Sequence, residues 1–184
     1  MSFLVRAANA RDTVGIVATV RAVYEEYGFS WDAEGYHADL YDVEALYWRK
    51  GHAFFVAESL IESGVVLGTV GLHLFPPIPL GGTTTEIDGK VRIAGCDCAL
   101  ERLYVEKVNR GQGIGTTLLE HSIAWSHERG LKRMEIWSDK RFEDAHKLYQ
   151  NFGAKMIGER ICDDPDESPE WGLSLSIREA YFGN

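Results

Sequence analysis

A short apolar strand, Leu103-Tyr104-Val105, leads through a brief polar loop into Arg110-Gly111-Gln112-Gly113-Ile114-Gly115-Thr116, where a helical pattern begins. No other segment limits the fold as strongly. Glycines at alternate positions permit backbone conformations closed to other residues, so successive N–H groups can converge on one concavity. The helix that follows adds the partial positive charge of its N-terminus. A strand, loop and helix of this kind suit a phosphate group. The loop is not a Walker loop, because no Gly-Lys-Ser/Thr follows, and the third position of a dinucleotide fingerprint falls on Thr116.

The flanking pattern places this unit in an α/β chain. Phe3 to Arg6 reads as a strand, and Asn9 caps a helix whose apolar positions run to about Tyr27, with Gly28 as its stop. A second, more polar helix is expected between His37 and Arg49. Strands follow at Ala53–Ala57 and Val65–Val70 across a Glu62-Ser63-Gly64 turn, then one long strand from Val91 to Val105. Ile114, Leu118, Ser122 and Trp125 line one face of the helix that ends at Gly130. A strand at Lys132–Trp137, a helix at Arg141–Asn151 and strands at Lys155–Cys162 and Trp171–Ile177 complete the order. The expectation is a single domain over residues 1–184, a mixed sheet with helices on both faces.

Charge and cysteine content exclude several classes. With 28 acids against 19 Lys and Arg the formal charge is −9, which argues against a nucleic-acid partner, since polyanion affinity comes from clustered bases. The uncharged run from Ser63 to Thr85 holds Pro76, Pro77 and Pro79 and five glycines, so it reads as a strand entering a loop and not as a membrane span. Met1 to Arg6 lacks a secretory pattern and the three cysteines are an odd number, so the cytoplasm is the expected location. Cys96 and Cys98 have no partner pair at zinc spacing, and the six histidines form no ligand set, so no metal is expected. A homodimer is the commonest soluble oligomer.

Two motifs in order carry a resemblance. Arg110-x-x-Gly113-x-Gly115 after Leu103-Tyr104-Val105 resembles the acyl-CoA loop of the GNAT superfamily of N-acetyltransferases, and Ala145 to Ala154, with Tyr149 and Gly153, resembles that superfamily's later helix end. The resemblance implies a GNAT-like fold with a central, mostly antiparallel sheet of six to seven strands, splayed between two of them. It also implies acetyl-CoA as cosubstrate. The pantetheine arm would bond to the main chain of Leu103 and Val105, beside Tyr104, with the pyrophosphate on the amides of Gly111, Gln112, Gly113, Ile114, Gly115 and Thr116 and Arg110 nearby. Where many members carry an asparagine seven residues before the tyrosine, this chain has Phe142, and Asp139 or Arg141 could supply that contact.

Acyl transfer to an amine needs a base, donors for the carbonyl oxygen and a proton for the thiolate. An alkylamine has a pKa of about 10 and must lose a proton at neutral pH. Glu101, which strand alternation puts on one face with Leu103 and Val105, matches the glutamate base of several polyamine-type members. The Val105 N–H is the oxyanion donor, and by resemblance the Tyr149 hydroxyl protonates the thiolate. Glu25–Glu44 holds seven acids and Asp163–Glu170 five, with no Lys or Arg in either. Two acidic edges favour a cationic acceptor, a small-molecule or peptide amine. A module that binds acyl-CoA without turnover, and a nucleotide-dependent enzyme, are the other classes to be distinguished.

Overall fold

The computed structural model describes residues 2–87 and 89–183. They form two compact units, the first from residues up to Leu72 with Arg102–Ser122 and Asp164–Asp166, the second from His73–Glu101, Ile123–Asp163 and the residues from Glu167 onward.

In the first unit β1 (Phe3–Ala7) runs antiparallel to β2 (Ala53–Ser59), with Val5 opposite Ala57, and β2 runs antiparallel to β3 (Val66–Leu74), with Phe55 opposite Val70. Between β1 and β2 lies α1 (Thr13–Tyr27). As expected, Asn9 opens the helical segment: its side chain accepts from Arg11 N–H, and Asp12 returns a bond to the Asn9 N–H. Ile16, Val20 and Tyr24, four residues apart on α1, pack with Leu40, Val43, Tyr47, Phe54, Val56 and Val66. Fully burying an aliphatic side chain such as Ile16 contributes about 1.5–3 kcal/mol. A Cβ on Gly15 would stand 2.7 Å from the Val66 side chain, so glycine lets α1 approach β3, where Thr19 Oγ1 donates to Val66 O at 3.1 Å.

The helix expected from His37 to Arg49 is instead three short pieces: 3-10 turns at Ala38–Tyr41 and Trp48–Lys50 flank α2 (Val43–Leu46). Asp42 is the cause. Its backbone is extended at φ −148° and its carboxylate accepts from Ala45 N–H, so it ends one turn and caps the next.

In the second unit β4 (Thr84–Ile87) and β5 (Lys90–Ile93) form a hairpin, and β6 (Cys98–Val105) follows. The single strand expected from Val91 to Val105 is therefore split. Asp97 explains the break: its carboxylate accepts the N–H groups of Lys132 and Arg133, which pulls Ala94–Asp97 out of a ladder and onto the start of β7 (Arg133–Asp139). β7 runs parallel to β6 and antiparallel to β9 (Pro169–Ser176), and β8 (Lys155–Ile161) pairs antiparallel with β9. The hairpin is tied down by Glu135 of β7, fully buried, which accepts from Arg92 and from Ile93 N–H at 2.8 Å.

Two further helices in this region are α4 (Glu143–Asn151) and α5 (Ile177–Phe182), the latter not anticipated. Six residues are too few to show a helical period. The strand order is β1-β2-β3-β6-β7-β9-β8, a mixed, mostly antiparallel sheet of seven strands, as expected, with the hairpin a separate sheet of two. Joining strands β6 and β7 and running through both units is α3 (Ile114–Glu128). Among the described residues no helix is long and apolar enough to cross a membrane.

Removing one partner of a buried ion pair leaves an uncompensated charge, at a cost of roughly 3–5 kcal/mol. Arg92→Met should therefore lower the urea midpoint by about that equivalent, and Arg92→Met with Glu135→Gln should recover most of the loss. Equal midpoints for the single and double variants would show that Arg92 does not hold the hairpin electrostatically.

Candidate active site

The loop that dominates the sequence sits where the first unit brings a strand end to a helix start. After Val105 the chain makes a 3-10 turn at Lys107–Asn109 and passes Gly111 (φ 74°) and Gly113 (φ 82°) before α3 begins. Thr117 N–H donates to Gly113 O at 2.9 Å, the first bond of that helix. Gly113 thus occupies the N-cap position, where a Ser, Thr, Asp or Asn would satisfy one of the orphan amides with its side chain. Glycine has no such oxygen. A Cβ at Gly111 or Gly113 would meet nothing within 4 Å, so it is the positive φ at these two positions, not crowding, that favours glycine. A glycine N-cap at a helix N-terminus suits a phosphate group.

Arg110 has a carboxylate partner on α1. Its guanidinium grips both carboxylate oxygens of Glu26 on α1, at 2.9 and 2.7 Å, and its Nε donates to Val105 O at 2.9 Å. Lys107 stands 3.8 Å from the same carboxylate. Arg110 therefore ties the strand end, the loop and α1 together. The Leu103 and Val105 side chains are half-buried, and the Tyr104 ring packs against Tyr24, with the two hydroxyls 3.5 Å apart.

Sequence reasoning missed the residue on which this strand turns. Arg102 has φ +54°, left-handed for a non-glycine, at a conformational cost of roughly 1–2 kcal/mol. The register of β6 with β7 covers Cys98 to Leu100, two residues earlier. The Arg102 carbonyl accepts from Thr69 Oγ1 at 2.8 Å. Its guanidinium donates to both oxygens of Asp39 at 3.1 and 2.9 Å and to Tyr36 O at 2.6 Å, and lies 4.6 Å from the Tyr36 ring centroid. Tyr47 Oη donates to the same Asp39 carboxylate at 2.7 Å. Burial opposes the Arg102 cation, yet the Asp39 charge and the surrounding phenols raise its pKa well above the ordinary value. The sequence clue was a cation in a strand whose one other charged residue is Glu101; its partner lies 63 residues away.

Next to Tyr36, His37 is fully buried, stacked on Trp31 with ring centroids 4.0 Å apart and edge-on to Tyr24 at 4.5 Å. Its Nδ1 accepts from Asp32 N–H at 3.1 Å. Burial, then the nearby Arg102 charge, push its pKa down to about 4 against opposing contributions from Asp32 and Asp39, so the ring is neutral at physiological pH.

The remaining candidates belong to the second unit. Glu101 is partly exposed and stands 3.4 Å from His73 Nδ1. Tyr149 on α4 is buried, and burial raises its phenol pKa, so the hydroxyl keeps its proton. Phe142 precedes α4 and gives no side-chain cap. Arg141 and Asp139, the possible substitutes for the absent asparagine, are paired with each other at 2.8 Å, and Arg141 also reaches Ser168 at 3.3 Å. Cys96, Cys98 and Cys162 are buried free thiols, and burial pushes Cys96 up to about 12. Among the described residues no group of three or more His, Cys, Asp or Glu side chains is placed to hold a metal ion.

Comparison with known proteins supplies the context for this geometry. The family profile described as "Acetyltransferase (GNAT) family" matches residues 20–154. The chain is 27% identical over 157 residues to "Uncharacterized N-acetyltransferase YjgM" of Escherichia coli (strain K12), covering 84% of this chain and 83% of that protein. Among solved structures it is similar to an acetyltransferase of the GNAT family from Staphylococcus aureus Mu50, with TM-score 0.72 and 19% identity over 95% of this chain and 99% of that one. It is also similar to yncA from Salmonella typhimurium, a putative acetyltransferase with its cofactor acetyl-CoA, with TM-score 0.65 and 15% identity over 96% and 95% of the two chains. At these identities the structures establish the fold.

The buried imidazole gives the first unit a pH signature. An unfolded chain binds a proton to His37 below its ordinary 6.5, whereas the folded chain resists until about 4. Stability should therefore fall with decreasing pH between those values, at up to about 1.4 kcal/mol per pH unit. Denaturant melts of the wild type and His37→Gln from pH 7 to 5 should differ by this slope; parallel curves would place the imidazole in solvent.

Proposed function

Because this chain belongs to the acetyltransferase (GNAT) family, we propose that it transfers an acetyl group from acetyl-CoA to a primary amine. The observation that carries the reading is that α3 is begun by glycine just after β6, with Gly113 at its N-cap and so no N-cap side chain on the first amides. Bound there, acetyl-CoA supplies an activated thioester. Main-chain amides from Gly111 to Thr116 hold its phosphates. The Val105 N–H, fixed at the end of β6, donates to the carbonyl oxygen as negative charge develops, with no reorganisation at that moment.

The side-chain roles follow from what each group can do. Glu101 accepts the proton the amine must lose, with His73 Nδ1 3.4 Å from its carboxylate. Tyr149 returns a proton to the departing thiolate, and its raised pKa keeps that proton in place at neutral pH. The acidic segments give less support to a cationic acceptor than their count suggested. Glu25 pairs with Arg21, Glu26 with Arg110, Asp39 with Arg102 and Glu170 with Arg160. Asp32, Asp42 and Glu44 accept main-chain N–H groups, and Asp166 binds Ser30. A preference for cationic amines then rests on the remaining acids, including exposed Glu34 and Glu167. Free thiols at all three cysteines fit a reducing compartment such as the cytoplasm.

Ligand-dependent melting tests the donor. At 100 times Kd a ligand stabilises the fold by about 2.7 kcal/mol, or roughly 5–10 °C for a chain of this size. Coenzyme A and acetyl-CoA should give that shift while ATP and NAD give none; a shift with ATP or NAD alone would overturn the reading.

Tyr149→Phe separates catalysis from binding. It should lower the rate of thiol release with an amine mixture by about 100-fold, the usual scale for general acid catalysis, while the shift with coenzyme A stays unchanged. An unaltered rate would remove Tyr149 from the mechanism. Coenzyme A binding without thiol release from any amine would mark a module without turnover.

A further inference from the structure

The residue at the bend of β6 could have been glycine, which takes a left-handed conformation without strain. Arginine adds strain and brings a cation into a buried position that must be compensated on every side. The compensation comes from one place: Asp39, the Tyr36 carbonyl and the Tyr36 ring, all in the segment that follows α1, with Tyr47 orienting the Asp39 carboxylate. On the other side, Thr69 holds the Arg102 carbonyl. Immediately downstream are Leu103 to Val105 and, through the Arg110 bond to Val105 O, the glycine loop.

We propose that Arg102 is a positioning residue: clamped on the Tyr36–Asp39 segment, it fixes the direction in which Leu103–Val105 leave the bend and so sets the main-chain donors and acceptors that meet acetyl-CoA. This rests on the reading of β6 and the glycine loop as the donor site. Its consequence is that order in the Tyr36–Asp39 segment and affinity for the coenzyme are linked. By reciprocity, any ligand that orders that segment tightens coenzyme binding by the same factor.

Calorimetric titration of coenzyme A tests this, with the full chain and folding confirmed by circular dichroism. Arg102→Gly relieves the strain and keeps the bend but cuts the clamp; Asp39→Asn keeps the arginine and weakens the clamp. Each should raise the Kd for coenzyme A about tenfold, a typical coupling. The double variant should be no weaker than the weaker single variant. A purely structural role would lower the melting temperature and the number of binding sites per chain while leaving Kd unchanged. Wild-type Kd in folded Arg102→Gly would overturn the proposal. If Arg102→Gly does not fold, wild-type Kd in Asp39→Asn does so instead. Failure of the wild-type chain itself to bind coenzyme A would overturn the donor-site reading, and this inference with it.

Discussion

The structure depends on two demands made of one strand. At its beginning β6 must pair with β7, and Cys98 to Leu100 do so in parallel register. At its end the same strand must lead through the glycine loop into the start of α3. A regular strand offers its N–H and C=O groups to neighbours on both sides along its whole length. Ending one register while continuing the strand therefore calls for a local departure, and the left-handed residue at position 102 is that departure. The strain is held by three polar attachments to the side chain and one to the carbonyl, so it costs flexibility where the strand has to be fixed.

Charge in this chain works mostly inside it. A net charge of −9 suggests an acidic surface offered to a partner, but several of the acids cap turns or grip arginines. Glu26 is the clearest case. Its carboxylate receives the Arg110 fork, which a count of loop residues would assign to the phosphates. A bidentate pair fixes orientation as well as distance. The Arg110 guanidinium thus braces the loop against α1.

Local signals were legible in the sequence, and long-range ones were not. The strand, glycine loop and helix could be read because glycine content and a helix start depend on a few adjacent residues. The Asn9 cap and the Gly28 stop were readable for the same reason. The segment from His37 to Arg49 was misread because its apolar spacing resembles a helix, while the Asp42 side chain competes for a backbone amide and breaks it. The split of Val91–Val105 needed Asp97 to find amides 35 and 36 residues away. Arg102 could be seen only as a neighbour of Glu101, since neither Asp39 nor the positive φ has a local signature.

Burial sets a condition on the acid role proposed for Tyr149. A phenol in water already holds its proton at neutral pH, so burial is not needed to keep it neutral. Burial disfavours the phenolate, which makes proton donation to a weakly basic acceptor harder and reprotonation faster. Such a group is effective only toward a leaving group whose own basicity is raised. A thiolate released in the same dry surroundings meets that condition, because desolvation raises its affinity for a proton as it raises the phenol's. The buried Cys96 thiol, pushed up to about 12, illustrates the size of that effect in this protein. The assignment of Tyr149 as acid thus requires that water be excluded when the carbon–sulfur bond breaks, and a leaving thiolate open to solvent would take its proton from water instead.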